Sequence, residues 1–195
     1  MTPRPDRSYV DGVTTTDEAA ILSRALGQTG GLFGRVNAGT VSRPTPCEQW
    51  DVGALADHVI ADGTNFVTMI GGGEPDWGAP TPHVSEDWGQ AFRASADDVL
   101  RAWEQGPGTD GWEGGAVVPV GLLVAEYATH SWDLAQALDV PSAELDPELA
   151  EVGLEFMKAT LKPEMRTGAF GAEVAAPEGA GAYERLAAFA GRQVS

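Results

Sequence analysis

The chain has 195 residues, 43% of them hydrophobic, and a formal net charge of −17 with only two lysines, Lys158 and Lys162. That length suits one well-buried core, so a single domain over 1–195 is expected, and a surface so acidic repels phosphate backbones and anionic lipid, which argues against nucleic-acid and membrane-surface partners. The one cysteine, Cys47, leaves no internal disulfide; with no run near the roughly 18 apolar residues of a membrane span and no secretion-type apolar stretch in the opening residues, a cytoplasmic protein is expected.

Residues 1–13 show no periodicity and read as a loose leader. Thr15 to Glu18 has the spacing of a capping box. Ile21, Leu22, Leu26, Leu32, Phe33 and Val36 then recur at helical intervals, which predicts a first helix over about 17–37. Its glycines weaken it, each by roughly 1 kcal/mol relative to alanine. Pro44 and Pro46 mark a connector. Asp51 is a suitable N-cap for a second helix over about 52–70, with Val52, Leu55, Val59, Phe66 and Ile70 as its apolar stripe.

The segment 71–84, with three glycines at its start and Pro75, Pro80 and Pro82 behind them, predicts a long loop. Ser85 is placed to cap a third helix over about 86–105, burying Trp88, Phe92, Ala96, Val99 and Trp103. A fourth helix over about 120–138 follows a glycine-rich connection and buries Val120, Leu123, Tyr127, Leu134 and Leu138. Asp146 caps a fifth helix, with Pro147 in the favoured first position and Leu149, Val152, Phe156 and Met157 inward. A short extended piece is expected at Ala172–Ala176. A last helix over about 180–190 carries Tyr183, Leu186 and Phe189, with Gly191 as its cap. Four long helices with shorter C-terminal ones predict an all-α bundle, whose sites are built from side chains on facing helices.

The chain has three histidines. His130 follows Glu126 by four residues on the fourth helix, about one turn, so carboxylate and imidazole project from one face. His58 lies at the edge of the apolar stripe of the second helix. If those helices are neighbours, His58, Glu126 and His130 converge as two imidazoles and a carboxylate. That donor set leaves coordination positions open on Zn²⁺, Fe²⁺ or Ni²⁺. The plainer alternative is that these histidines are hydrogen-bonded core residues. Asp133, three residues after His130, is either a carboxylate that orients the imidazole or a surface group near the helix end. His83 falls in the proline-rich loop and is expected to be exposed. Cys47 is expected to be a small packed side chain. The Gly71-Gly72-Gly73 triplet lacks the lysine and hydroxyl of a phosphate cradle.

Two segments carry a resemblance: Pro44-Thr45-Pro46-Cys47-Glu48-Gln49-Trp50-Asp51-Val52 with Leu55 and His58, and Glu126-Tyr127-Ala128-Thr129-His130-Ser131-Trp132-Asp133-Leu134-Ala135. They resemble the two signatures of actinobacterial metal-binding proteins of the DinB-like superfamily, similar to the N-terminal domain of mycothiol-dependent maleylpyruvate isomerase. The segments from Arg166 to Val174 and from Arg185 to Arg192 also fit that group. The resemblance implies a DinB-like four-helix bundle with additional short C-terminal helices, holding a divalent metal through His58, Glu126 and His130, zinc first, with nickel or iron as alternatives. It also implies a small-molecule partner, a substrate or a thiol such as mycothiol; the chain is expected to be a monomer or a homodimer. The isomerase carries a further C-terminal domain that the residues after the fifth helix here are too few to supply, so the likeness is closer to the single-domain members. The expected function is metal-dependent, thiol-linked transfer or isomerisation, with Trp50, Tyr127 and Trp132 as candidate pocket walls, although aromatics at these spacings are more often core. The alternative is a non-catalytic metal-binding or small-ligand-binding helical module.

Overall fold

A computed structural model describes residues 15–48, 50–106, 118–166 and 170–194. It contains α1 (Thr15–Phe33), α2 (Val52–Ile70), α3 (Trp88–Gln105), α4 (Val120–Ala137), α5 (Pro147–Thr160) and α6 (Ala182–Phe189), with single 3₁₀ turns at Ser142–Glu144 and Pro163–Met165. No strand occurs among the described residues; the expected extended piece at 172–176 is irregular, and an isolated bridge joins Pro44 to Asp51. The fold is an all-α bundle, as the apolar periodicity predicts, and it agrees with the DinB-like architecture that the resemblance implies. The leader 1–13 and most of the glycine-rich connection before α4 lie outside the described residues.

The helices α1 and α2 each pack against both α3 and α4, so the four form a ring in the order α1–α3–α2–α4, with α1 diagonal to α2. Outside the ring, α5 lies along α4, and α6 packs on α5 and α4. Gly153 permits the close α4–α5 approach, since a Cβ there would stand 3.0 Å from the Ala125 Cα. Inside the ring Phe33 stacks on Phe92 with centroids 4.4 Å apart, and Tyr127 meets the edges of Phe92 and Phe66 at 6.1 and 5.8 Å. Aromatic pairs at such separations add about 0.5–1.5 kcal/mol beyond the area they bury. Tyr127 is thus a core residue and not a pocket wall.

Local signals set several helix ends as expected. Asp51 Oδ1 accepts the Ala54 N–H at 2.9 Å, and Asp146 Oδ1 accepts that of Glu148 at 3.1 Å ahead of Pro147. Elsewhere tertiary contacts intervene. α1 stops at Phe33, earlier than predicted; the Gly34 N–H still bonds the Gly30 carbonyl, but from Arg35 the chain tightens into 3₁₀-type bonds, with Val36 buried. Ser85 does not cap α3. Asp57 on α2 accepts the Val84 N–H and pairs with the His83 ring, both at 2.8 Å, which ties the preceding loop to α2. The chain then enters α3 through Asp87 in the left-handed region, and the helix begins at the buried Trp88. At the end of α6 the cap is Ala190, and Gly191, one residue beyond, takes the left-handed conformation with φ of 90°.

Candidate metal centre

The side of the ring between α2 and α4 is its least closely packed, and the expected site residues meet there. α4 presents Glu126 and His130 one turn apart, and α2 presents His58 opposite them. One potential ligand atom from each lies within 4.8 Å of the others, a group able to hold a metal ion. Glu126 Oε1 stands 3.2 Å from His58 Nε2 and 3.1 Å from His130 Nε2. Neither contact has hydrogen-bond geometry, so this buried oxygen has no hydrogen-bond partner. Two imidazole nitrogens and a carboxylate oxygen around one point fit a divalent cation, which would take the place of the proton that His130 carries on Nε2.

Trp50 covers one side of the group. Its ring lies 4.2 Å from that of His58 and 6.0 Å from that of His130, and Thr45 donates a hydroxyl bond to its carbonyl at 2.7 Å. The His130 side chain is 7% exposed, whereas those of His58 and Glu126 are 26% and 20% exposed, so the group opens to solvent on the α2 side.

Behind His130, Asp133 is fully buried and its Oδ2 lies 2.9 Å from His130 Nδ1. Asp133 is therefore the orienting carboxylate and not a surface group. Its other partner is Arg192, from the segment after α6, which donates Nε to Oδ1 at 3.2 Å and Nη2 to Oδ2 at 2.8 Å. Burial alone would raise the Asp133 carboxyl, but the His130 hydrogen bond and the Arg192 charge outweigh it and hold it below its usual value. His130 shows the same competition with the opposite charge. Burial lowers it, and the Glu126 charge with the Asp133 hydrogen bond more than reverses this, raising it to about 9. Burial likewise pushes Glu126 up, and the two imidazoles overcome it, leaving the carboxyl well below the ordinary carboxylate range.

Asp62 completes the surroundings. It sits one turn after His58, 93% buried, with Oδ2 3.4 Å from His58 Nε2. Burial first, and the Glu126 charge second, raise its carboxyl to about 8.

Two of these neighbours, Asp62 and Arg192, are absent from the sequence-based candidates. Asp62 carried a usable signal, the same four-residue spacing that links Glu126 to His130; Arg192 ends a segment that resembles the family, but nothing there marks it as a site residue. His83 stays outside the group, its side chain 73% exposed and paired with Asp57. Cys47 is half-buried in the turn before Trp50 and contributes no ligand to the group. Trp132 is buried on α4.

Fold and site together define a helical bundle with a ligand-bearing cleft between two facing helices, the usual construction of a metal site in such bundles. The chain belongs to the family of the mycothiol maleylpyruvate isomerase N-terminal domain, whose family model matches residues 22–135. It is similar to two uncharacterized proteins of Mycobacterium tuberculosis, MT0763 of strain CDC 1551 / Oshkosh and Rv0738 of strain ATCC 25618 / H37Rv. Each is 32% identical over 176 residues, spanning 88% of this chain and 95% of the relative. No solved structure matches. The family match contains His58, Glu126, His130 and Asp133 and stops before Arg192.

Proposed function

We propose that His58, Glu126 and His130 hold one divalent ion, zinc in the first instance, and that the protein is a metal-dependent enzyme acting on a thiol, in transfer or isomerisation. The observation that carries this reading is the buried Glu126 oxygen set between two imidazole nitrogens without a hydrogen bond to either. Family membership supports the thiol, since the family takes its name from a mycothiol enzyme. When bound, such an ion supplies Lewis acidity, lowering the pKa of a coordinated thiol or water so that a nucleophile exists near neutral pH.

The protein's own residues have separable tasks. His130, held by Asp133, presents Nε2 toward the shared point. Glu126 supplies negative charge there. His58 and Trp50 form the solvent-facing wall through which a small molecule would enter. Asp62, its carboxyl raised by burial and by the Glu126 charge, stands beside His58 at the edge of the group. Purified protein is expected to bind one equivalent of Zn²⁺ or Ni²⁺ by elemental analysis, and His58→Ala or His130→Ala should abolish binding. Parent protein that stays metal-free after incubation with both ions would sink the proposal.

A second reading is a non-catalytic module in which the ion braces the bundle. The placement of the three residues across the loosest side of the ring favours it.

A further inference from the structure

We infer that Arg192 is a positioning residue of this centre, fixing His130 as a metal ligand through Asp133. The inference rests on the metal reading above and adds a residue from outside the family-matched segment 22–135.

The geometry is a closed chain of hydrogen bonds. Arg192 grips Asp133 with two nitrogens, one to each oxygen, while its Nη1 donates to the Ala190 carbonyl at 3.1 Å. The Oδ2 that takes Nη2 also takes His130 Nδ1. Asp133 therefore cannot rotate without breaking a charge-assisted fork, the strongest of the ordinary hydrogen-bond arrangements. With the proton held on Nδ1, the lone pair of His130 is directed through Nε2 toward Glu126 and His58. A histidine ligand is normally oriented in this way by a partner on its other nitrogen, and loss of that partner costs about tenfold to a hundredfold in metal affinity.

The backbone is built to deliver this guanidinium. After α6 the Gly191 N–H bonds the Ala188 carbonyl at 3.0 Å and the Arg192 N–H bonds the Ala187 carbonyl at 2.9 Å. These two bonds form a Schellman turn with Gly191 in the left-handed position. The turn reverses the chain and sends Arg192, 6% exposed, back toward α4. Its far side is clamped by the segment around Gly171, and Arg166 donates to both the Gly171 and Phe189 carbonyls. A salt bridge that served only to dock the C-terminal segment would leave the ligand properties of His130 unchanged if removed.

The test compares parent, Arg192→Ala and Arg192→Lys. Zn²⁺ affinity is read by chelator competition, the ligand field by the visible spectrum of the Co²⁺-loaded protein, and folding separately by urea denaturation of the metal-free chains. Arg192→Ala should weaken Zn²⁺ binding by about tenfold to a hundredfold and alter the cobalt spectrum, and Arg192→Lys should recover part of both. If Arg192→Ala does not fold, Arg192→Gln, which keeps the aliphatic stem and an N–H donor but is shorter and uncharged, is read in its place with the same expectation. A folded variant with the parent's affinity and cobalt spectrum, however much stability it has lost, overturns this inference alone. A parent that binds neither ion overturns the metal reading and this inference together.

Discussion

His130 touches Glu126 through one ring nitrogen and Asp133 through the other, and its charge state gives the first prediction. In the metal-free protein its imidazole is raised to about 9 by the Glu126 charge and the Asp133 hydrogen bond, against the opposing effect of burial. Below that pH the ring carries a proton that an incoming ion must displace from Nε2. Glu126, held well below its ordinary range, is already ionised and releases nothing at neutral pH. Zn²⁺ affinity should therefore rise with pH, about tenfold per unit for one displaced proton, and level off near pH 9. Chelator competition at a series of pH values measures this, and a flat profile below pH 9 contradicts it. The ligand residues were legible because Glu126 and His130 are one turn apart in one helix. Asp62 has the same relation to His58, but that spacing alone does not mark it, because its role depends on the Glu126 charge across the bundle. Arg192 was invisible as a site residue, since it meets a residue 59 positions away.

At the level of elements, the ends set by local chemistry were predictable and those set by distant contacts were not. Asp51 and Asp146 cap their own helices through side-chain bonds two or three residues long. The start of α3 is decided instead by Asp57, 27 positions before the Val84 amide it accepts. The turn after α6 supplies the prediction at this scale. Gly191 has φ of 90°, and a Cβ there would lie 2.6 Å from the Gly171 Cα, a backbone atom that no rotamer change can move. Gly191→Ala should therefore destabilise the fold by more than the roughly 1–2 kcal/mol of a left-handed non-glycine residue, read as a lower urea midpoint. It should also weaken Zn²⁺ binding, because the strained turn carries Arg192. A variant of unchanged stability would contradict this account of the turn.

At the scale of the whole molecule, the ring of α1–α4 carries a continuous apolar core that includes Phe33, Phe66, Phe92 and Tyr127, none more than 2% exposed. No helix among the described residues is long and apolar enough to cross a membrane. Because the core is independent of the three ligands, chelation of the metal-loaded protein should lower Tm by only the mass-action amount, a shift that scales with RT ln(1 + [metal]/Kd). Cooperative unfolding on chelation at 25 °C would instead favour the bracing module. The sequence by itself determined the number and approximate extent of the helices, through apolar spacing and local caps. It also determined which three side chains were ligand candidates, because a helical turn brings Glu126 and His130 to one face whatever surrounds them. The tertiary structure decided that α2 faces α4, since ring order follows from the complementarity of whole helix surfaces. It also decided that Asp62 and Arg192 belong to the same site, because burial and charge accumulate only where distant segments pack together.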